Sequence, residues 1–172
     1  MQQDLRRSAL QSLVDTAPRD PEAFIAWAYE REGRWELSAD GAVTMQAGGS
    51  RYHGRIALNV AMALSRGLDT NLYHVSTAEV AVRIGRAVRY PDVLVDRLAS
   101  HDDALKADAP VFLVEVLSPS SIDTDMIEKP SEYFGLKSLD AYLVCSRDEP
   151  RVWLWVKKRG RWPKTPTVIK GL

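Results

Sequence analysis

Apolar positions change their spacing along the chain, and that spacing divides it into elements. After a turn at "APRDP" (17–21), Asp20 is placed to cap a helix and Pro21 suits its first position. "EAFIAWAYEREG" then carries a helical apolar face, stopped by Gly33. "RWELSADGAVTMQA" alternates as two short strands joined at "ADG", a turn signal. Ser50 can cap a helix through "RYHGRIALNVAMALSRGL", with Ile56, Val60, Ala63 and Leu64 near one face and Gly67 at its end.

Strand patterns follow in "NLYHVS", "EVAVRI", "YPDVLV" and "VFLVEVLS". The last two are strongly apolar and lie on either side of the polar loop "DRLASHDDALKADAP". A short helix is expected from about 125 to 137, then the strands "AYLVCS" and "RVWLWVKK", joined by a turn at "RDEP". Strands interrupted by two or three helices predict an α/β (α+β) domain with a mixed central sheet flanked by helices. The regular strand–helix alternation of a doubly wound fold is missing. The glycines of "MQAGGSRYHG" lack the spacing and the lysine of a phosphate loop. The organisation expected is a helical extension over 1–19, a domain over 20–158 and a basic tail over 159–172.

Composition changes this picture little. Apolar residues make up 45% and charged residues 27%, an ordinary folding composition, and 172 residues suit one domain. Basic and acidic residues balance at 23 each, so a nucleic-acid binder would need a local patch. The clearest basic tract is "KKRGRWPKTPTVIKG", with six basic residues and no acid; it could bind phosphate or be a solvated tail. The lone Cys145 excludes an internal disulfide and reads as a small buried residue. No segment resembles a signal peptide or a membrane span, so a cytoplasmic location is expected.

Two acids disturb the apolar strands. In "PDVLV", Asp92 shares its face with Leu94; in "VFLVEVL", Glu115 shares its face with Val111, Leu113 and Leu117. An ionised carboxylate among such neighbours is costly unless it is hydrogen-bonded, paired or bound to a cation. Together they could offer hard oxygen ligands to Mg²⁺. The alternatives are a residue at a strand edge or end facing solvent, or half of an ion pair.

The order of Pro91–Asp92, Glu115 in "VEVLSPS", and Lys129 and Tyr133 in "DTDMIEKPSEYF" resembles the Uma2 family, as do "WELSADGAVTM" with Glu36, "SRYHGRIALNV" with His53 and "STAEVAVRI" with Glu79. The resemblance runs over roughly residues 20–157. Those proteins are described as restriction endonucleases of the PD-(D/E)XK nuclease superfamily. The resemblance implies a restriction-endonuclease-like core and a metal-dependent endonuclease acting on DNA. It makes Asp92 and Glu115 ligands of Mg²⁺ or Mn²⁺, and Glu79 and Glu36 accessory acids. The superfamily's lysine, two residues after the acid, is replaced here by Leu117. The family pattern offers Lys129 instead; its plainer reading is a solvent-facing lysine paired with Asp125 one turn earlier.

His53 could contact phosphate or assist proton transfer, or sit on the helix surface. Tyr133 is an accessory candidate. His74 and His101 have no partners that suggest a metal site. Ser118, Ser120 and Ser121 read as a turn rather than a nucleophile. Trp153 and Trp155 share one strand face and suit a core or a homodimer interface better than base stacking. Besides a nuclease, the sequence leaves open a nucleic-acid-binding or regulatory domain with a weakened nuclease fold, or an interaction domain.

Overall fold

The structure is a computed structural model that describes residues 2–46, 48–97, 103–119 and 121–171, with side chains from residue 7 onward. Helix α1 (Gln2–Thr16) leads into α2 (Pro21–Tyr29), where the Asp20 carboxylate accepts from Ala23 N at 3.0 Å and Pro21 opens the helix. The strands β1 (Arg34–Leu37) and β2 (Val43–Gln46) pair antiparallel, as their alternation predicts. Helix α3 (Arg51–Gly67) is capped by Ser50, whose hydroxyl accepts from His53 N.

Next come β3 (Tyr73–Thr77), β4 (Val82–Ile84), β5 (Ala87–Arg89), β6 (Val93–Arg97) and β7 (Pro110–Val116). The β4–β5 hairpin turns on Gly85, which has a positive φ of 58°. The expected helix over 125–137 is shorter. It is a single π-helical turn (Thr124–Glu128) running into α4 (Lys129–Tyr133). Pro130 offers no N–H to the π turn before it, and the Asp125 carbonyl there accepts from the Tyr142 hydroxyl at 2.8 Å instead. Strands β8 (Ala141–Cys145), β9 (Arg151–Val156) and β10 (Thr167–Lys170) complete the chain.

The strands form two sheets rather than one. The larger has the order β10-β9-β8-β7-β6-β3, and only its β7–β8 pair is parallel; the smaller is the antiparallel β2-β1-β5-β4. Residues 167–170 therefore close the edge of the large sheet and are not a free tail. Helix α3 lies on one face of this sheet, where its small Ala57 and Ala61 allow close approach to Val93, Val114, Val116 and Cys145. On the opposite face, Tyr133 of α4 packs with Leu94, Leu113, Tyr142 and Trp155. Trp153 packs against the same cluster, so both strand tryptophans serve the core. The small sheet packs beside α4, and its other side is covered by α2, whose Phe24 and Ile25 pack with Trp35 of β1. No described helix is long and apolar enough to cross a membrane.

Candidate active site

Asp92 sits one residue before β6, and Glu115 is the second-last residue of β7. The two strands are antiparallel neighbours with Val93 opposite Val114. One further step along the register therefore sets Asp92 against Glu115 at the same end of the sheet. The Asp92 carboxylate closes that end, with Oδ2 accepting from Val116 N at 2.8 Å. Its Oδ1 faces Arg34 Nη1 at 3.4 Å and His53 Nε2 at 3.1 Å. The imidazole lies within charge-pairing distance but out of line for a hydrogen bond. Gly49 makes room for this ring, since a Cβ at residue 49 would stand 2.9 Å from His53 Cδ2.

Lys129 is the centre of the other half. Its ammonium lies 2.8 Å from Glu115 Oε1, 3.0 Å from Asp125 Oδ1 and 3.7 Å from Glu36 Oε1. Tyr133 Oη donates to the same Glu115 oxygen at 2.9 Å, and no described residue hydrogen-bonds to Oε2. Residues 125, 129 and 133 recur at helical spacing, so the π turn and α4 present one stripe to the sheet end. The Lys129–Asp125 pair of the alternative reading does form, but it is buried and not solvent-facing: Asp125 is 2% exposed and Lys129 4%. Its orientation comes from packing against β7, which the spacing alone does not specify.

The electrostatics follow from crowding. Burial works against the charge of Lys129, yet Glu115, Glu36 and Asp125 reverse that and hold its pKa above the ordinary lysine value. Burial pushes the Glu115 carboxyl up to about 8; Lys129 opposes this, while Asp125, Asp92 and Glu36 add to it. Asp92 is moved the other way. Its burial is outweighed by His53 and the Val116 amide, which keep it below the usual carboxylate value. Two facing carboxyls thus have affinities for protons driven apart. Burial and the neighbouring Glu115 also keep the Tyr133 hydroxyl protonated as a donor.

These residues fit a hard divalent cation of one kind. Among the described residues, no group of three His, Cys, Asp or Glu side chains is arranged to cage a metal. The donor set at the sheet end is the carboxylate pair of Asp92 and Glu115. It suits Mg²⁺, which retains several waters and needs only one or two carboxylates. A cation between Asp92 and Glu115 would also relieve the excess of negative charge that otherwise favours a proton on Glu115.

The site opens into a cleft of ≈ 250 Å³ whose walls include Glu36, His53, Asp92, Glu115 and Lys129, with Arg147, Ser118 and Ser121 at its side. Ser118 and Ser121 form the expected turn through Ser121 Oγ and Ser118 N, whereas Ser120 and His101 lie outside the described residues. Glu79 is not among the groups brought together here. It is exposed in the connection after β3 and borders a hollow with Arg34 and Tyr90, two residues that also line the cleft. The basic hairpin around 158–161 is also remote, because β9 runs from Arg151 at the site end of the sheet to Val156 at the other. Cys145 is buried, with its thiol pKa pushed up to about 11 by burial and by Asp92, and is no nucleophile.

Arg89 is the group that sequence reasoning missed. It is 3% exposed and donates to both Glu132 oxygens at 2.8 Å and to Glu36 Oε2 at 3.1 Å. Glu36 also accepts from Gln46 Nε2 and Tyr90 N, which accounts for a carboxylate only 1% exposed.

The sequence matches the Uma2 family, described as "Putative restriction endonuclease", over residues 21–170. The chain belongs to the Uma2 family. A crystal structure described as a "putative nuclease belonging to DUF820" from Anabaena variabilis superposes with a TM-score of 0.64, at 14% identity, over 86% of this chain and 84% of that one. At that identity the likeness establishes the shared fold, which is consistent with a restriction-endonuclease-like core. A comparison with curated proteins finds no match. The Uma2 match extends through β10, the segment that composition alone marks as a tail.

Proposed function

We propose that this Uma2 protein is a metal-dependent nuclease that hydrolyses phosphodiester bonds in DNA, with Asp92 and Glu115 holding Mg²⁺ or Mn²⁺. The observation that carries this reading is the meeting of Asp92, Glu115 and the buried ammonium of Lys129 at one sheet end, open to a polar cleft. When bound, the cation would supply a water of lowered pKa and offset charge developing on phosphate oxygens. Arg34 and His53 fix Asp92 on one side, and Tyr133 fixes Glu115 on the other.

Lys129 remains an ammonium near neutral pH, so it orients the attacking water and stabilises negative charge rather than removing a proton. Glu36 acts behind Lys129, drawing its charge toward the sheet end. The alternative of a binding domain with a weakened nuclease fold is motivated by Leu117, which packs against the core cluster and offers no ammonium. Lys129, already hydrogen-bonded to Glu115, answers that motive.

The test is cleavage of supercoiled plasmid, single-stranded DNA and RNA with Mg²⁺ or Mn²⁺. The wild type should cut DNA, and D92N and E115Q should fall to background while remaining folded by circular dichroism. Wild-type rates in either variant would overturn the site. No cleavage of any probe with either ion would turn the reading to a binding domain.

A further inference from the structure

Helix α3 carries an unbalanced surface. Its sequence holds Arg51, Arg55 and Arg66 and no Asp or Glu. All three arginines are exposed, and among the described residues none forms an ion pair. Positions 51, 54, 55 and 58 fall on adjoining rows of the helix. Of these, Gly54 and Leu58 line a hollow of ≈ 330 Å³ beside the turn at Thr77 and Ala78. This hollow shares Asp92, His53 and Arg34 with the candidate active-site cleft, so the two adjoin at Asp92. An added Cβ at Gly54 would meet no atom within 4 Å, so the space beside the helix is open. Tyr52 is 49% exposed, with the Arg55 guanidinium 5.1 Å from its ring centre.

We infer that this face of α3, through Arg51 and Arg55, holds the backbone of a polynucleotide strand on one side of the phosphate to be cut. The position of that phosphate rests on the nuclease reading above. Charge selects the occupant, because exposed cations without acidic partners complement a polyanion and release its counterions on contact. A second copy of the chain is disfavoured, since a two-fold contact would bring this acid-free, arginine-bearing face against the same face of the partner. The exposed Tyr52 ring adds a face on which a base can stack.

The test is binding rather than cleavage. The full chain in excess chelator is titrated, across a salt series, with a fluorescently labelled DNA oligonucleotide, its duplex and an RNA of the same sequence. R51A/R55A should weaken binding and lower the slope of log affinity against log salt by about 2 for the duplex, at about 0.9 per lost phosphate contact. Gly54→Leu should weaken binding by filling the hollow, with little change in slope. Gly67→Leu, at the far end of the same helix and also in open space, should bind as wild type does.

A wild-type slope in R51A/R55A would overturn the inference, as would a wild type that binds none of the probes. Self-association of the free chain that R51A/R55A abolishes, with nucleic-acid affinity intact, would overturn it in favour of a dimer interface. Binding that follows the predicted pattern without cleavage would sink the catalytic reading and leave this surface standing. Cleavage with an unchanged salt slope would do the reverse.

Discussion

Replacing Arg89 by methionine tests how the small sheet holds the candidate site together. Arg89 ends β5, and its guanidinium ties Glu36 of β1 to Glu132 of α4, between Lys129 and Tyr133. Burial alone would lower its pKa, but Glu132 and Glu36 hold it well above the ordinary arginine value, so the charge is an integral part of the network. Methionine keeps the apolar stem and removes the charge.

The two carboxylates stranded by R89M differ. Glu36 has a side chain 1% exposed and retains Gln46, the Tyr90 amide and the Lys129 ammonium at 3.7 Å, whereas the Glu132 side chain is 14% exposed and can recruit water. Removing one partner of a buried pair costs about 3–5 kcal/mol, and the wetter Glu132 favours the lower end. At about 2–4 °C per kcal/mol for a chain of this size, the melting midpoint should fall by about 6–12 °C. Thermal and urea unfolding near neutral pH, followed by circular dichroism, measure this. R89M/E36Q should recover part of the loss, since the most deeply buried stranded charge is then gone. A midpoint unchanged within about 2 °C, or a double variant less stable than R89M, would refute the reasoning.

Three further outcomes follow from the site. In the metal-free protein, the folded state holds a proton on Glu115 that the unfolded chain releases, so stability should be greatest below pH 4.5 as far as this group goes and decline as pH rises toward about 8; E115Q should flatten that decline in urea titrations, and an unchanged slope would contradict the burial account. K129A should lose metal-dependent cleavage while keeping metal affinity, and K129R should rescue it poorly because a planar guanidinium cannot reproduce a compact ammonium among three acids; cleavage rates and calorimetry on both variants check this, and full activity in K129A would refute it. D125A should also depress cleavage, because Asp125 is a buried partner of Lys129 and not a surface one; a wild-type rate would show that Lys129 is positioned without it.

Much of this was legible in the chain because local rules and tertiary structure agree. Ser50 and Asp20 cap where their spacing predicts, and the apolar runs around Asp92 and Glu115 become adjacent strands of the large sheet. The family motif marked Glu36, His53, Lys129 and Tyr133, which the fold gathers around that sheet end. The small sheet was harder to see. Its β5 has three residues, and the burial of Arg89 depends on partners 53 and 43 positions away. Strand β10 was hidden for the opposite reason: all four of its residues are exposed, so pairing to β9 leaves no alternating pattern. The burial of Asp125 was not legible, because a four-residue spacing says that two side chains meet, not which way they face. Only packing against Glu115 on β7 decides that.

The most direct test of the central claim is calorimetric titration of the full chain with Mg²⁺ and Mn²⁺, beside D92N and E115Q. The account predicts binding by the wild type that each substitution abolishes, with protons released on binding at neutral pH as Glu115 gives up its proton. Equal binding by the wild type and both variants, or a wild type that binds neither ion, would contradict it.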